Sequence, residues 1–227
     1  MEGRLSTGIH GLDELIEGGL KPRSVNLVMG ESGSGKSTFA VHFLKAGADA
    51  GEAGLYVSVE EPRDKFFENM KRFGIDLEKL ESEKKFVFHK AGVPEIRNFL
   101  DQGVVSFEQY FKTYKITRVV IDSVTALMLA YGAETSQRNS LLTLFELLER
   151  WNMTVLVTSE TEGDEARFGL QYLVDSVFRL YYRKVGQERV RTLEVLKMRG
   201  TDHSKQEMVY RLGKGGIILY PTEKVLV

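Results

Sequence analysis

The chain has 227 residues, 42% of them hydrophobic and 28% charged, enough to bury one large core and too few for two. Lys and Arg number 31 against 32 Asp and Glu, a net charge of −1, so no basic excess is available to neutralise a nucleic acid or an anionic membrane. Cysteine is absent, which excludes disulfides, thiolate metal sites and Cys nucleophiles and points to an intracellular, cytoplasmic protein. No signal-peptide core opens the chain, and no run of about 18 apolar residues occurs to span a membrane.

Residues 1–24 form a covering element. Ser6-Thr7-Gly8-Ile9 reads as an N-cap region, and Leu12, Leu15 and Ile16 share one face of a short helix that Gly18-Gly19 ends. Ser24 to Met29 is an apolar strand, followed by Gly30-Glu31-Ser32-Gly33-Ser34-Gly35-Lys36-Ser37, which matches G-x-x-x-x-G-K-[ST] at every fixed position. Thr38 completes the run, and Phe39, Ala40, Phe43, Leu44 and Gly47 then recur at helical spacing. This is a P-loop at a strand-to-helix turn. Its glycines allow successive N–H groups to face an anion, and the helix start adds a positive dipole end. Lys36 would reach the β- and γ-phosphates, and the Ser37 hydroxyl would complete the shell of a Mg²⁺ otherwise held by water and phosphate.

After a turn at Gly51 to Gly54, Leu55 to Val59 forms a second strand ending in Glu60-Glu61-Pro62. Pro62 opens a helix with a core stripe of Phe66, Phe67, Met70 and Phe73, which Gly74 ends. Phe86-Val87-Phe88 is a third strand; Phe107, Tyr110, Phe111 and Tyr114 mark a further helix, and Gly92 to Gly103 carries no clear pattern. Thr117 to Ser123 is a buried strand with Asp122 at its C-terminal end, where ligands bind in open parallel sheets. Alone, such an Asp reads more readily as a cap or turn residue. With a P-loop upstream it reads as the acidic partner of the site. A polar loop at Gly132 to Thr135 leads to a helix carrying Leu141, Leu142, Phe145 and Leu148, and Thr154 to Glu160 is the fifth strand. The alternation predicts a parallel doubly wound α/β sheet. Beyond Gly169, Val174 to Arg183, Val190 to Arg199 and Met208 to Tyr220 read as an antiparallel extension. One domain over 1–227 is expected, with a covering segment at 1–24, a P-loop core at 25–160 and the extension at 170–220.

These residues resemble the KaiC family within the RecA-like ATPases. The likeness is carried by Ser6-Thr7-Gly8 with Gly11-Leu12-Asp13, GESGSGKST, YVSVEEP at 56–62, VVIDS at 119–123, VTSE at 157–160 and RTLEVLKMRGTDH at 191–203. The P-loop is shared by many NTPases; the Glu pair with KMRGTDH is specific to this family. The resemblance implies Mg·ATP as ligand, ATP hydrolysis to ADP and phosphate, and a homo-oligomeric, hexameric ring with shared active sites. It implies Glu60 and Glu61 for orienting and deprotonating water, Asp122 for the metal's outer shell, and Lys197 with Arg199 for the neighbouring subunit's ATP. Without it, the two cations would read as a solvated strand face. With it, they are expected to point to one side, at an open subunit edge, with no partner of their own, and the Glu pair is expected on a strand beside the P-loop strand. His203 is implied as a nucleotide contact, although the four His show no metal-ligand spacing.

The clock members of the family have two tandem ATPase halves where this chain matches one, and their phosphate-accepting Ser-Thr pair is matched here by Gln171-Tyr172, so neither a clock mechanism nor autophosphorylation is expected. A RadA-like recombinase paralogue binding single-stranded DNA is a second reading. It is disfavoured because Glu160, Glu162, Asp164 and Glu165 outnumber Arg167 in the presumed channel loop, and because no helix-hairpin-helix or polymerisation segment precedes the core. A third is a nucleotide-sensing scaffold without turnover, against which the intact Glu60 and Glu61 argue.

Overall fold

A computed structural model describes residues 3–92, 95, 105–129 and 134–223, with 105–109 and 134–138 described by their backbone alone. The stretch between Gly92 and Gly103 lies almost wholly outside these residues, as do most of the polar loop at Gly132 and the side chain of Phe107. The strands are β1 Val25–Gly30, β2 Ala53–Ser58, β3 Phe86–Lys90, β4 Ile116–Asp122, β5 Thr154–Ser159, β6 Thr161–Glu162, β7 Glu165–Ala166, β8 Ser176–Val185, β9 Glu188–Met198, β10 Met208–Gly213 and β11 Gly216–Tyr220. The helices are α1 Lys36–Asp49, α2 Arg63–Arg72, α3 Leu77–Ser82, α4 Val105–Tyr114, α5 Val124–Leu129 and α6 Glu134–Arg150. Short 3-10 turns occupy Asp13–Ile16 and Arg167–Tyr172.

Among the described residues, nine strands form one sheet in the order β11-β10-β9-β8-β1-β5-β4-β2-β3. From β8 to β3 every pairing is parallel. Every residue of β1, β2 and β5 is buried, as expected of parallel strands covered on both faces. One core cluster gathers Phe111, Leu141, Leu144 and Phe145 against one face; the other packs Phe39, Phe43, Phe66 and Phe67 against the opposite face. Each such side chain contributes about 1.5–3 kcal/mol of burial. The doubly wound, mostly parallel sheet with an antiparallel C-terminal part is the expected fold.

Four details differ from the sequence expectation. The first strand after Gly169, β8, pairs parallel with β1 and antiparallel with β9, so it closes the parallel part as well as opening the extension. The stretch 208–220 is two strands folded back at Lys214-Gly215, not one. The helices α3 and α5, each of six residues, are too short to carry a readable period. At the N-terminus, Ser6 and Thr7 do not cap the following turn; both hydroxyls and the Thr7 N–H donate to Asp13 at 2.6–3.0 Å. Leu12 and Ile16 are fully buried beneath that arrangement, as a covering element requires.

Candidate nucleotide site

The loop between β1 and α1 is shaped by its glycines. Gly35 holds φ 96° at the helix N-cap, a left-handed conformation that favours glycine. A Cβ on Gly30 would lie 2.2 Å from the Leu180 carbonyl oxygen, so a larger residue there would push β1 off β8. Lys36 folds back over the loop, its Nζ donating to the carbonyls of Gly30 (2.8 Å) and Glu31 (3.0 Å). Burial holds the Lys36 ammonium below its usual range, against the opposing pull of Asp122, Glu160, Glu31 and Glu60. Thr38 is buried at 3% exposure in the first turn of α1.

The extension strands brace this loop from behind. Glu31 accepts from the Tyr182 N–H on β8 (3.2 Å), Arg191 on β9 donates to the Gly33 carbonyl (3.1 and 3.3 Å), and Tyr210 on β10 donates to the Ser34 carbonyl. The Ser34 hydroxyl is buried with no hydrogen-bond partner among the described residues. Beside the loop, Arg191, Tyr210 and Leu212 help line a hollow of about 650 Å³. Tyr182 and Tyr210 escape motif reading, and Arg191 lies in a quoted string without its role showing, because these residues come from strands 151–176 residues from the loop with no fixed spacing to it.

A second cavity, of about 380 Å³, is lined by Ser37, Ser58, Glu60, Glu61, Lys65 and Asp122. The acidic pair does not sit beside the P-loop strand: β5 and β4 separate β1 from β2. It reaches the loop because α1 crosses the sheet and packs on β2 as well as on β1. Glu61 is tied down, accepting from Asn69 Nδ2 at 2.8 Å on its side chain and from the Ser58 hydroxyl at 2.6 Å on its carbonyl. The exposed Glu60 carboxylate has no hydrogen-bond partner among the described residues. Asp122 accepts one hydroxyl on each oxygen, Tyr56 on Oδ2 and Thr158 on Oδ1. Burial, and then Asp122, push the Tyr56 phenol well above its usual range. The Glu160 N–H donates to Thr125 at 2.9 Å, fixing the end of β5 near Lys36. Tyr56, Thr158 and Glu160 all lie inside motif strings that the sequence singles out, yet their own roles show only in the fold.

The model of the family described as "ATPase: KaiC" matches residues 5–224. The chain belongs to the KaiC ATPase family. It is 34% identical over 239 residues to a UPF0273 protein of Pyrococcus furiosus, covering 98% of this chain and 96% of that one. It is 33% identical over 234 residues to the circadian clock protein KaiC3 of Synechocystis, covering 98% of this chain but 46% of that protein; the chain spans about half the length of the clock proteins it matches. The crystal structure of a KaiC-like protein from Pyrococcus horikoshii superposes with a TM-score of 0.86 at 34% identity, covering 96% of this chain and 99% of that one. KaiC-family membership brings with it the RecA-like fold and a nucleotide-binding ATPase site. Among the described residues, no helix is long and apolar enough to cross a membrane.

The remaining family residues lie elsewhere. Met198 on β9 is in register with Ser176 on β8, and Ser176 with Asn26 on β1, so Lys197 and Arg199 sit at the opposite end of β1 from the loop. Neither is without a partner, contrary to expectation. Lys197 Nζ donates to the carbonyls of Val174 (2.6 Å) and Gln171 (3.1 Å), and Arg199 lies 3.6 Å from Asp175. Burial, then Arg199, lower the Lys197 ammonium. Arg199 lies just past the strand, since β9 ends at Met198, with its N–H still donating to the Asp175 carbonyl at 2.9 Å. β9 is not an edge strand, although β10 pairs with it only at Thr192 and Leu193 and leaves Glu194 to Met198 unpaired on that side. His203 binds its neighbour's carbonyl, Ser204 O, at 2.9 Å, close to the N-terminal turn.

Proposed function

We propose that this chain binds Mg·ATP at the P-loop and hydrolyses it, as a ring-forming homo-oligomer whose sites are completed by a neighbouring copy. The observation that carries this is the gathering of Ser37, Asp122, Glu60 and Glu61 on one cavity beside Lys36. Asp122, Glu160, Glu31 and Glu60 all act on Lys36, and with Glu61 they outnumber the ammonium groups of Lys36 and Lys65, so a polyphosphate would be repelled unless a divalent cation entered with it. Ser37 and Asp122 would hold that Mg²⁺. Among the described residues no cluster of three or more His, Asp or Glu could cage a metal, which suits an ion that takes its other ligands from phosphate and water. When bound, it would neutralise charge developing on the phosphates.

The protein's own groups do the rest. Lys36 exchanges loop carbonyls for phosphate oxygens. Glu60, with no competing partner, orients a water in line with the γ-phosphorus and takes its proton; Glu61, held by Asn69, fixes the turn into α2. The hollow lined by Arg191, Tyr210 and Leu212 offers the nucleoside a place beside the loop. By register Lys197 is level with Leu27 and Arg199 with Val25, roughly 10 and 16 Å along the strand from Gly30 at 3.3 Å per residue and two strand spacings of about 4.8 Å to the side, beyond side-chain reach of the same nucleotide. The exposed Leu196 and Tyr172, at 42% and 59%, flank Lys197 and suit an interface with another copy.

The test is ATP turnover measured with and without single-stranded DNA, beside the native mass of the assembly. Magnesium-dependent turnover by an oligomer is expected. DNA is expected neither to bind tightly at physiological salt nor to stimulate, because Glu162, Asp164 and Glu165 are exposed on the β6–β7 hairpin. Salt-sensitive submicromolar DNA binding would favour the recombinase reading instead.

A further inference from the structure

Tyr56 lies within β2, in register with Phe88 of β3 and Val120 of β4, and none of it is exposed. Its ring is centred 4.5 Å from that of Phe66 and 5.9 Å from that of Phe88, nearly parallel to the latter. Phenylalanine would fill this aromatic cluster equally well, so packing alone does not require the hydroxyl. A buried phenol lacking a partner costs about 1–3 kcal/mol. This one meets a polar group at the cavity: the Asp122 carboxylate, to which it donates and which lines the same cavity as Ser37.

We propose that Tyr56 is the positioning residue for the metal side of the site, holding the Asp122 carboxylate in one orientation across the cavity from Ser37 through its hydroxyl. The proposal rests on the Mg·ATP reading above. Asp122 receives one neutral donor on each oxygen, from Tyr56 and from Thr158. That leaves each oxygen a lone pair for metal-bound water and holds the carboxylate one step from the ion. Groups that orient ligands in this way commonly govern 10–100-fold in metal affinity.

The test is Tyr56→Phe, which keeps the ring, read by titrating a fluorescent ADP analogue across MgCl₂ concentrations and in EDTA. Expected are equal affinities in EDTA within about twofold and a Mg²⁺ concentration for half-maximal tightening raised about tenfold. The thermal midpoint without nucleotide should stay close to that of the wild type. Thr158→Val, which removes the other donor without touching the ring cluster, should shift the Mg²⁺ response the same way, and it decides the matter if Tyr56→Phe does not fold. An unchanged Mg²⁺ response, or an equal loss with and without Mg²⁺, overturns the proposal and leaves Tyr56 a packing residue. A wild type whose nucleotide affinity ignores Mg²⁺ overturns the Mg·ATP reading itself, and this proposal with it.

Discussion

Two adjacent glutamates with different surroundings separate two jobs that the motif alone leaves together. Glu61 is held by Asn69, whereas Glu60 faces the cavity with a free carboxylate. Glu60→Gln is therefore expected to keep ATP bound while slowing turnover by at least about 100-fold, the scale of a lost positioned base. Glu61→Gln, which retains an acceptor for Asn69, should lose far less. Single-turnover hydrolysis of the two variants side by side checks this, and the reverse order would move the base to Glu61. The P-loop residues were legible in the sequence because their spacing is fixed, and Asp122 because it closes an apolar strand downstream of a P-loop. The supports of Asp122 were not, since a tyrosine in an apolar strand looks like core until the fold shows where its hydroxyl emerges.

The elements of the parallel core announce themselves through continuous apolar runs and helical stripes. The extension is harder to read, because the turn at Lys214-Gly215 sits inside one long apolar stretch, and the pairing of β8 with β1 depends on the whole sheet. How the extension is fastened to the P-loop helix is invisible in sequence. His42 on α1 does this with both ring nitrogens: Nδ1 donates to the Gly8 carbonyl (3.0 Å) and Nε2 accepts from the Ile217 N–H of β11 (2.9 Å). That pairing requires the neutral ring. Burial lowers its pKa, and nearby Lys45 adds to this against the Gly8 bond. The unfolded chain takes up the proton near pH 6.5, while the folded one resists. The stability from this group is thus present above about pH 6.5 and is lost as pH falls through the depressed folded value. His42→Gln is expected to melt below the wild type at pH 8, by about 1–2 kcal/mol, and the gap should narrow toward pH 5. Thermal melts of both proteins across that range would show it; a gap independent of pH would assign the effect to packing alone.

At the scale of the whole molecule, the strand register sets the two halves of the proposed site at opposite ends of β1. Lys36→Ala and the double variant Lys197→Ala/Arg199→Ala are each expected to be inactive. Mixed under conditions where subunits exchange, they should recover part of the activity, because some interfaces then pair an intact P-loop with intact cations. A mixture that exchanges subunits yet stays inactive would refute the shared site. The cations' own contacts to Gln171, Val174 and Asp175 would have to loosen or be shared as the neighbour docks.

Carrying the P-loop at one end of β1 and Lys197 and Arg199 toward the other, across the β8 seam, gives each copy a head and a tail. Under the shared-site proposal, counting follows from that polarity alone. An open row of n copies holds n − 1 complete sites, with one unserved loop at one end and one idle pair of cations at the other. Only closure makes sites and copies equal in number. Turnover per copy should then climb with protein concentration in a curve whose plateau marks the point at which no ends remain.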